Sequence, residues 1–140
     1  MGFENGGIFF FQGPNADFGY DGDVIYHEFG HNIVNQAGNN MLTGGTLMDS
    51  YGLDDSPGAL NEAYADYFAG AITEDPIVGG YVGKKTGMGE GIRRMDHDLA
   101  CPDFWAGQVH ADSWGWGGAL WEARALYPQT ETHAGTGLEI

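Results

Sequence analysis

Covalent cross-links cannot organise this chain, because its 140 residues include a single cysteine, Cys101, which reads as a packing residue. Basic side chains are scarce. Five Lys and Arg stand against twenty Asp and Glu, a formal net charge of −15. Such a balance repels phosphate backbones and anionic membrane surfaces, so nucleic acid is not an expected partner. No apolar run approaches the roughly 18 residues that span a bilayer, and membrane insertion is not expected. No basic-then-apolar leader opens the chain, so a signal for export, if there is one, lies outside the sequence given. Internal repeats and low-complexity tracts are also missing.

What is present suits one loop-rich domain. Hydrophobic residues make up 42% and aromatics 14%, enough for a core, while 25 glycines imply long connections between few elements. Gly7-Ile8-Phe9-Phe10-Phe11 is short, apolar and bounded by Gly and Pro, which predicts a buried strand. Val24, Ile25, Phe29, Ile33 and Val34 recur at helical spacing, with Asp21 or Asp23 as N-cap and Gly38 as stop. Residues 39–55 carry no period and read as a loop. Ser56-Pro57 supplies an N-cap with Pro at the first helical position, and Leu60, Ala63, Tyr64, Tyr67, Phe68 and Ala71 continue a helix to about Thr73. Gly79 to Gly91 reads as a second long loop, and a third helix is predicted from about Ser113 to Tyr127. Residues 129–140 read as a frayed tail.

Chemistry concentrates in His27-Glu28-Phe29-Gly30-His31. Two His four apart differ by about 40° around a helix axis and lie one turn apart, so both imidazoles can reach one ion. Imidazole nitrogen suits zinc, and a catalytic site wants three protein ligands with the fourth position left to water. Glu28 is poorly placed to share the ion but can reach that water, the position of a general base. On the second helix, Glu62 and Asp66 also lie four apart, within an otherwise apolar stretch. Carboxylates there need partners. A metal held by Glu62, with Asp66 accepting the free N–H of a ligating His, would satisfy both.

His27-Glu28-x-x-His31 followed by Asn61-Glu62-x-x-x-Asp66 resembles the gluzincin pattern of thermolysin-like and fungalysin-like peptidases. A third block adds to the likeness: Gly91-Ile92-Arg93-Arg94-Met95, then Val109-His110-Ala111-Asp112-Ser113-Trp114, then Ala119-Leu120-Trp121-Glu122. The resemblance implies an α+β, zincin-like catalytic domain, mainly helical around the first motif, with a short N-terminal β segment. Residues 1–20 would form the β edge segment, 21–128 the zinc-binding helical part and 129–140 the tail. It implies one catalytic Zn2+ on His27, His31 and Glu62, Glu28 as base, and Asp66 supporting His27. His110, just before a helix, would stabilise the oxyanion. Arg93, read here as a loop residue, would bind the substrate carbonyl beyond the scissile bond, with Arg94 an equally close candidate. Tyr51 is the nearest counterpart of an oxyanion-donating tyrosine, and Asp103 the nearest upstream aspartate that could orient His110. Members of the group bind structural calcium, for which Asp23 with Glu74 or Asp75 would be donors. Asp23 is explained as a helix cap, so calcium is not expected.

The implied activity is that of a zinc metalloendopeptidase on peptide or protein substrates, secreted as family members are. Met1-Gly2-Phe3-Glu4-Asn5-Gly6 falls where the group's substrate-pairing edge strand should be. The group's larger N-terminal β-rich part and its later helices have no counterpart, so a partial domain is expected. Two other readings compete: a zinc-stabilised, non-catalytic peptide-binding domain, against which Glu28 speaks, and a gluzincin aminopeptidase, for which no amine-capturing motif is evident.

Overall fold

The computed structural model describes residues 2–4, 7–42, 47–50 and 52–126, and the expected tail and Tyr51 lie outside them. The first element is a hairpin: β1 (Gly2–Glu4) pairs antiparallel with β2 (Gly7–Phe9), Phe3 opposite Ile8. The apolar run thus forms a strand only to Phe9, and Phe9 and Phe11 remain exposed. A 3-10 turn at Phe18–Tyr20 leads into α1 (Gly22–Ala37). Asp21 is its N-cap, accepting from the Asp23 amide at 3.2 Å, and Gly38 closes it. Asp23 is therefore not the cap. Its Oδ2 instead accepts from the Gly79 and Gly80 amides at 3.2 and 3.3 Å.

The predicted loop at 39–55 contains a second antiparallel hairpin, β3 (Leu47–Asp49) with β4 (Gly52–Asp54). Helix α2 (Ser56–Thr73) follows, with Asp55 rather than Ser56 in the cap position and Pro57 in the first turn. Asp54 takes the Ser56 amide at 2.9 Å, so one of the helix's orphan donors is satisfied from one residue further back. The predicted loop from Gly79 to Gly91 is also corrected. It holds α3 (Gly80–Thr86) and lies between β5 (Ile77–Val78) and β6 (Arg93–Arg94), which pair antiparallel. Glycine in the sequence concealed this helix, because N–H groups there find acceptors at the start of α1: Asp23 holds Gly79 and Gly80, and the cap residue Asp21 takes the Val82 amide at 2.8 Å. The last described helix, α4, spans Val109–Leu126 and starts a turn earlier than predicted.

The described residues thus form an α+β arrangement in which α2 packs against α1 on one side and α4 on the other. Among them, no helix is long and apolar enough to cross a membrane. The helix contacts are lined with small residues: Ala59, Ala63, Ala65 and Ala69 of α2 are fully buried. A Cβ added to Gly30 would come within 2.9 Å of the Ala65 Cα, so α1 and α2 meet backbone to backbone at the centre of the first motif. Apolar packing is placed beside this crossing. Ala16, Val24 and Val82 gather Phe18 and Ile92 on one side, while Ala69, Val78 and Met95 gather Tyr67 and Trp121 on the other.

Candidate metal centre

Close approach of α1 and α2 decides which side chains of α1 turn inward. Its buried residues are Val24, His27, Glu28 and Gly30, whereas Phe29 is exposed. Facing them, α2 buries Asn61 and Asp66 and half-buries Glu62. Two apolar stretches therefore put polar groups on their shared face. Unpaired, each would be costly to bury.

The pairing is specific. His27 Nδ1 donates to Asp66 Oδ1 at 2.7 Å, and His31 Nδ1 donates to Asn61 Oδ1 at 2.5 Å. The Asn61 amide is oriented by its own donations to Asn35 Oδ1 and the Leu42 carbonyl, which leaves its oxygen for His31. With both Nδ1 protons directed outward, neutral rings turn Nε2 lone pairs toward one point. The two Nε2 atoms lie 3.0 Å apart, and Glu62 oxygens stand 3.3 Å from His27 Nε2 and 3.4 Å from His31 Nε2. Donor atoms about 2.0–2.2 Å from a tetrahedral ion sit about 3.3–3.6 Å from one another. The spacing fits an ion held by all three. Glu62 Oε2 is also buried with no hydrogen-bond partner, an orphan acceptor aimed into the cluster. Among the described residues, His27, His31 and Glu62 form the group whose donor atoms fall within metal-holding distance.

The electrostatics demand positive charge at this point. Burial disfavours a charged His27, but its hydrogen bond to Asp66 and the facing Glu62 carboxylate prevail and raise it to about 9. Burial likewise opposes ionisation of Glu62, and the two histidines overcome it, holding the carboxyl well below its ordinary value. Asp66 is held ionised against burial by the Arg93 charge and by hydrogen bonds from His27 and Arg93. A proton on the rings or a metal cation answers the same need.

Arg93 lies on strand β6, not in a loop, and its guanidinium grips Asp66 through Nε at 2.5 Å and Nη2 at 2.7 Å. It therefore braces the residue that orients His27. Arg94 points elsewhere, exposed and paired with Glu90 and Asp96, whereas Arg93 lines the same cavity as the cluster. His110 sits inside the first turn of α4, not before it, with Nε2 3.6 Å from Glu62 Oε1. Its Nδ1 partner is Gln108 Nε2 at 2.8 Å, which takes the place expected of Asp103. These residues converge on one cavity of about 280 Å³. His27, Glu28, His31, Glu62, Arg93 and His110 supply its polar wall, and Phe18, Val24, Val78 and Ile92 its apolar wall. Glu28 is buried at that wall with a relative exposure of 6%.

Asn61, Asn35 and Gln108 are contributors that sequence reasoning did not assign. Asn61 was within view as the residue preceding Glu62, but its role depends on a fold-dependent partner on α1. Compared with family models, curated proteins and solved structures, the chain matches none.

Proposed function

We propose that the chain is the catalytic part of a zinc metalloendopeptidase of zincin-like architecture, with zinc on His27, His31 and Glu62. The observation that carries this reading is the tripod itself: two Nε2 atoms and one carboxylate at mutual distances of 3.0 to 3.4 Å, each ring tethered through Nδ1. Two imidazoles and one carboxylate are the donor set of hydrolytic zinc sites with an open position for water. Zinc bound there would supply a water of lowered pKa and polarise the scissile carbonyl.

The remaining roles belong to the chain. Glu28, beside the tripod on the cavity wall, takes the proton of the attacking water and passes it to the leaving amine. His110 Nε2, at the rim near Glu62, donates to the carbonyl oxygen as charge grows there. The apolar wall of Phe18, Val24, Val78 and Ile92 holds a substrate side chain and keeps bulk water away from the reacting bond. Arg93 stabilises the ligand set through Asp66 and faces the same cavity as the substrate. A general base is superfluous in a purely structural site, and Glu28 is buried at the cavity wall together with the tripod, which favours catalysis over zinc-stabilised binding.

Glu28→Gln separates the two. The amide keeps size and hydrogen-bonding shape but cannot accept the proton. Zinc content by elemental analysis should stay at the parent level, while hydrolysis of a mixed peptide library falls at least about a thousandfold. Parent-like hydrolysis by zinc-loaded Glu28→Gln removes Glu28 from the mechanism. A zinc-loaded parent chain that cleaves nothing removes the peptidase reading.

A further inference from the structure

His110 presents an unusual problem for a catalytic group. Its side chain is 56% exposed, and an exposed imidazole on the first turn of a helix has freedom to rotate and to carry its proton on either nitrogen. A single residue restrains both. Gln108 precedes α4 in the cap position, where its Oε1 accepts from the Ala111 amide at 2.9 Å, the bond that an N-cap side chain makes to the third helical residue. Its Nε2 is 2.8 Å from His110 Nδ1. Because the oxygen is committed to a backbone donor, the other end of the carboxamide is the N–H end, and Nδ1 of His110 must be the acceptor. The proton of the neutral ring then lies on Nε2, the atom 3.6 Å from Glu62 Oε1 at the cavity rim.

The preferred cap residues, Ser, Thr, Asp and Asp-like Asn, are shorter, and the first three lack an N–H to offer the ring. Glutamine is a poor cap by that ranking, yet it accepts from the helix and donates to the imidazole at once. The loop that presents it is fixed in turn by Asp112. That carboxylate is fully buried and accepts the amides of Ala106, Gly107 and Gln108 at 2.6, 2.9 and 3.2 Å.

We propose that Gln108 is the positioning residue of His110, capping α4 and holding the ring with its Nε2–H directed into the cavity beside Glu62. The tether stands on its own geometry, while its use in stabilising an oxyanion rests on the peptidase reading above. A carboxylate orienter would instead hold a proton on Nδ1. The amide leaves the proton of the neutral ring on Nε2.

The test uses the full chain with zinc bound, labelled with 15N in its histidines, and reads the tautomer of His110 from ring 15N shifts and two-bond couplings at about pH 9, where an ordinary imidazole is neutral. His110 is assigned by the signal missing from His110→Ala. The expected result is the Nε2–H tautomer in the parent. Gln108→Glu keeps the cap acceptor but removes the donor, so the proton should move to Nδ1. At the same pH, kcat for peptide hydrolysis should then fall about tenfold with KM and zinc content little changed. Gln108→Ser keeps a good cap and frees the ring, and should likewise lower kcat by several-fold, about three to ten. A parent His110 with its proton on Nδ1 overturns the proposal, and so does a Gln108→Glu chain with parent tautomer and kcat. If no peptide is cleaved but the tautomer moves as stated, the tether is upheld and the peptidase reading fails.

Discussion

Single side chains in this protein are positioned from behind. His27 and His31 each reach the cluster through Nε2 while Nδ1 is held, one by a carboxylate and the other by an amide. The two supports differ in what else depends on them. Asp66 also receives Nε and Nη2 of half-buried Arg93, so Asp66→Ala leaves a guanidinium charge without its partner as well as a loose His27. Asn61 carries no charge. Zinc affinity measured by competition with a chromophoric chelator should fall about a hundredfold in Asp66→Ala and about tenfold in Asn61→Ala, the span seen when the supports of ligating His are removed. Equal affinity of the Asp66 variant and the parent would mean that orientation of His27 does not matter. Removing a ligand itself is more severe. His27→Ala, His31→Ala or Glu62→Ala leaves two protein donors, and stoichiometric zinc at parent affinity in Glu62→Ala would take Glu62 out of the site.

Elements matter here through how closely they approach. The tripod takes His27 and His31 from α1 and Glu62 from α2, so the distance between these helices sets the size of the metal site. That distance rests on Gly30, whose missing side chain lets the Ala65 backbone in. Gly30→Ala improves the intrinsic helix propensity of α1 by about 1 kcal/mol, yet its methyl would overlap the Ala65 Cα. Overpacking of this kind costs about 1–3 kcal/mol and should outweigh the gain. Gly30→Ala is therefore expected to lower thermal stability and zinc affinity together. A more stable variant with parent zinc affinity would show that α1 and α2 can separate without disturbing the ligands. The sequence pattern did not disclose this contact. Apolar period in α1 pointed to Val24, Ile25, Phe29, Ile33 and Val34; of these Val24 is buried, but Phe29 is exposed and the rest of the buried face carries His27, Glu28 and Gly30.

For the whole molecule, a metal held by the cluster at the junction of α1 and α2 would link site and fold. Twenty acidic residues against five basic ones make the chain self-repelling, and at the cluster two carboxylates are already concentrated around the rings. Zinc that binds the folded form alone adds about 4 kcal/mol of stability at a free concentration about a thousand times Kd. For a domain of this size that corresponds to about 14 °C in Tm. Scanning calorimetry with and without a chelator should show this drop in the parent and little of it in Glu62→Ala. A chelator-insensitive parent Tm would mean that the folded chain gains nothing from zinc.

The sequence by itself determined the ligand candidates and the helices that bear them. Four-residue spacing in His27–His31 and Glu62–Asp66 is a local property of a helix, and caps and stops such as Asp21, Pro57 and Gly38 are read within a few residues. Tertiary structure alone decided the rest, because it depends on partners far along the chain. Asp23 and Asp21 supply the acceptors that fix α3 within a glycine-rich segment read as loop. Strand pairing with β5 turns Arg93 toward Asp66 and leaves Arg94 to Glu90 and Asp96, a choice between adjacent residues that depends on strand register. Asn61 became a support for His31 only when Asn35 and the Leu42 carbonyl took up its N–H groups. Spacing within each helix named the donors, and the packing of α1 against α2 brought their lone pairs to one point.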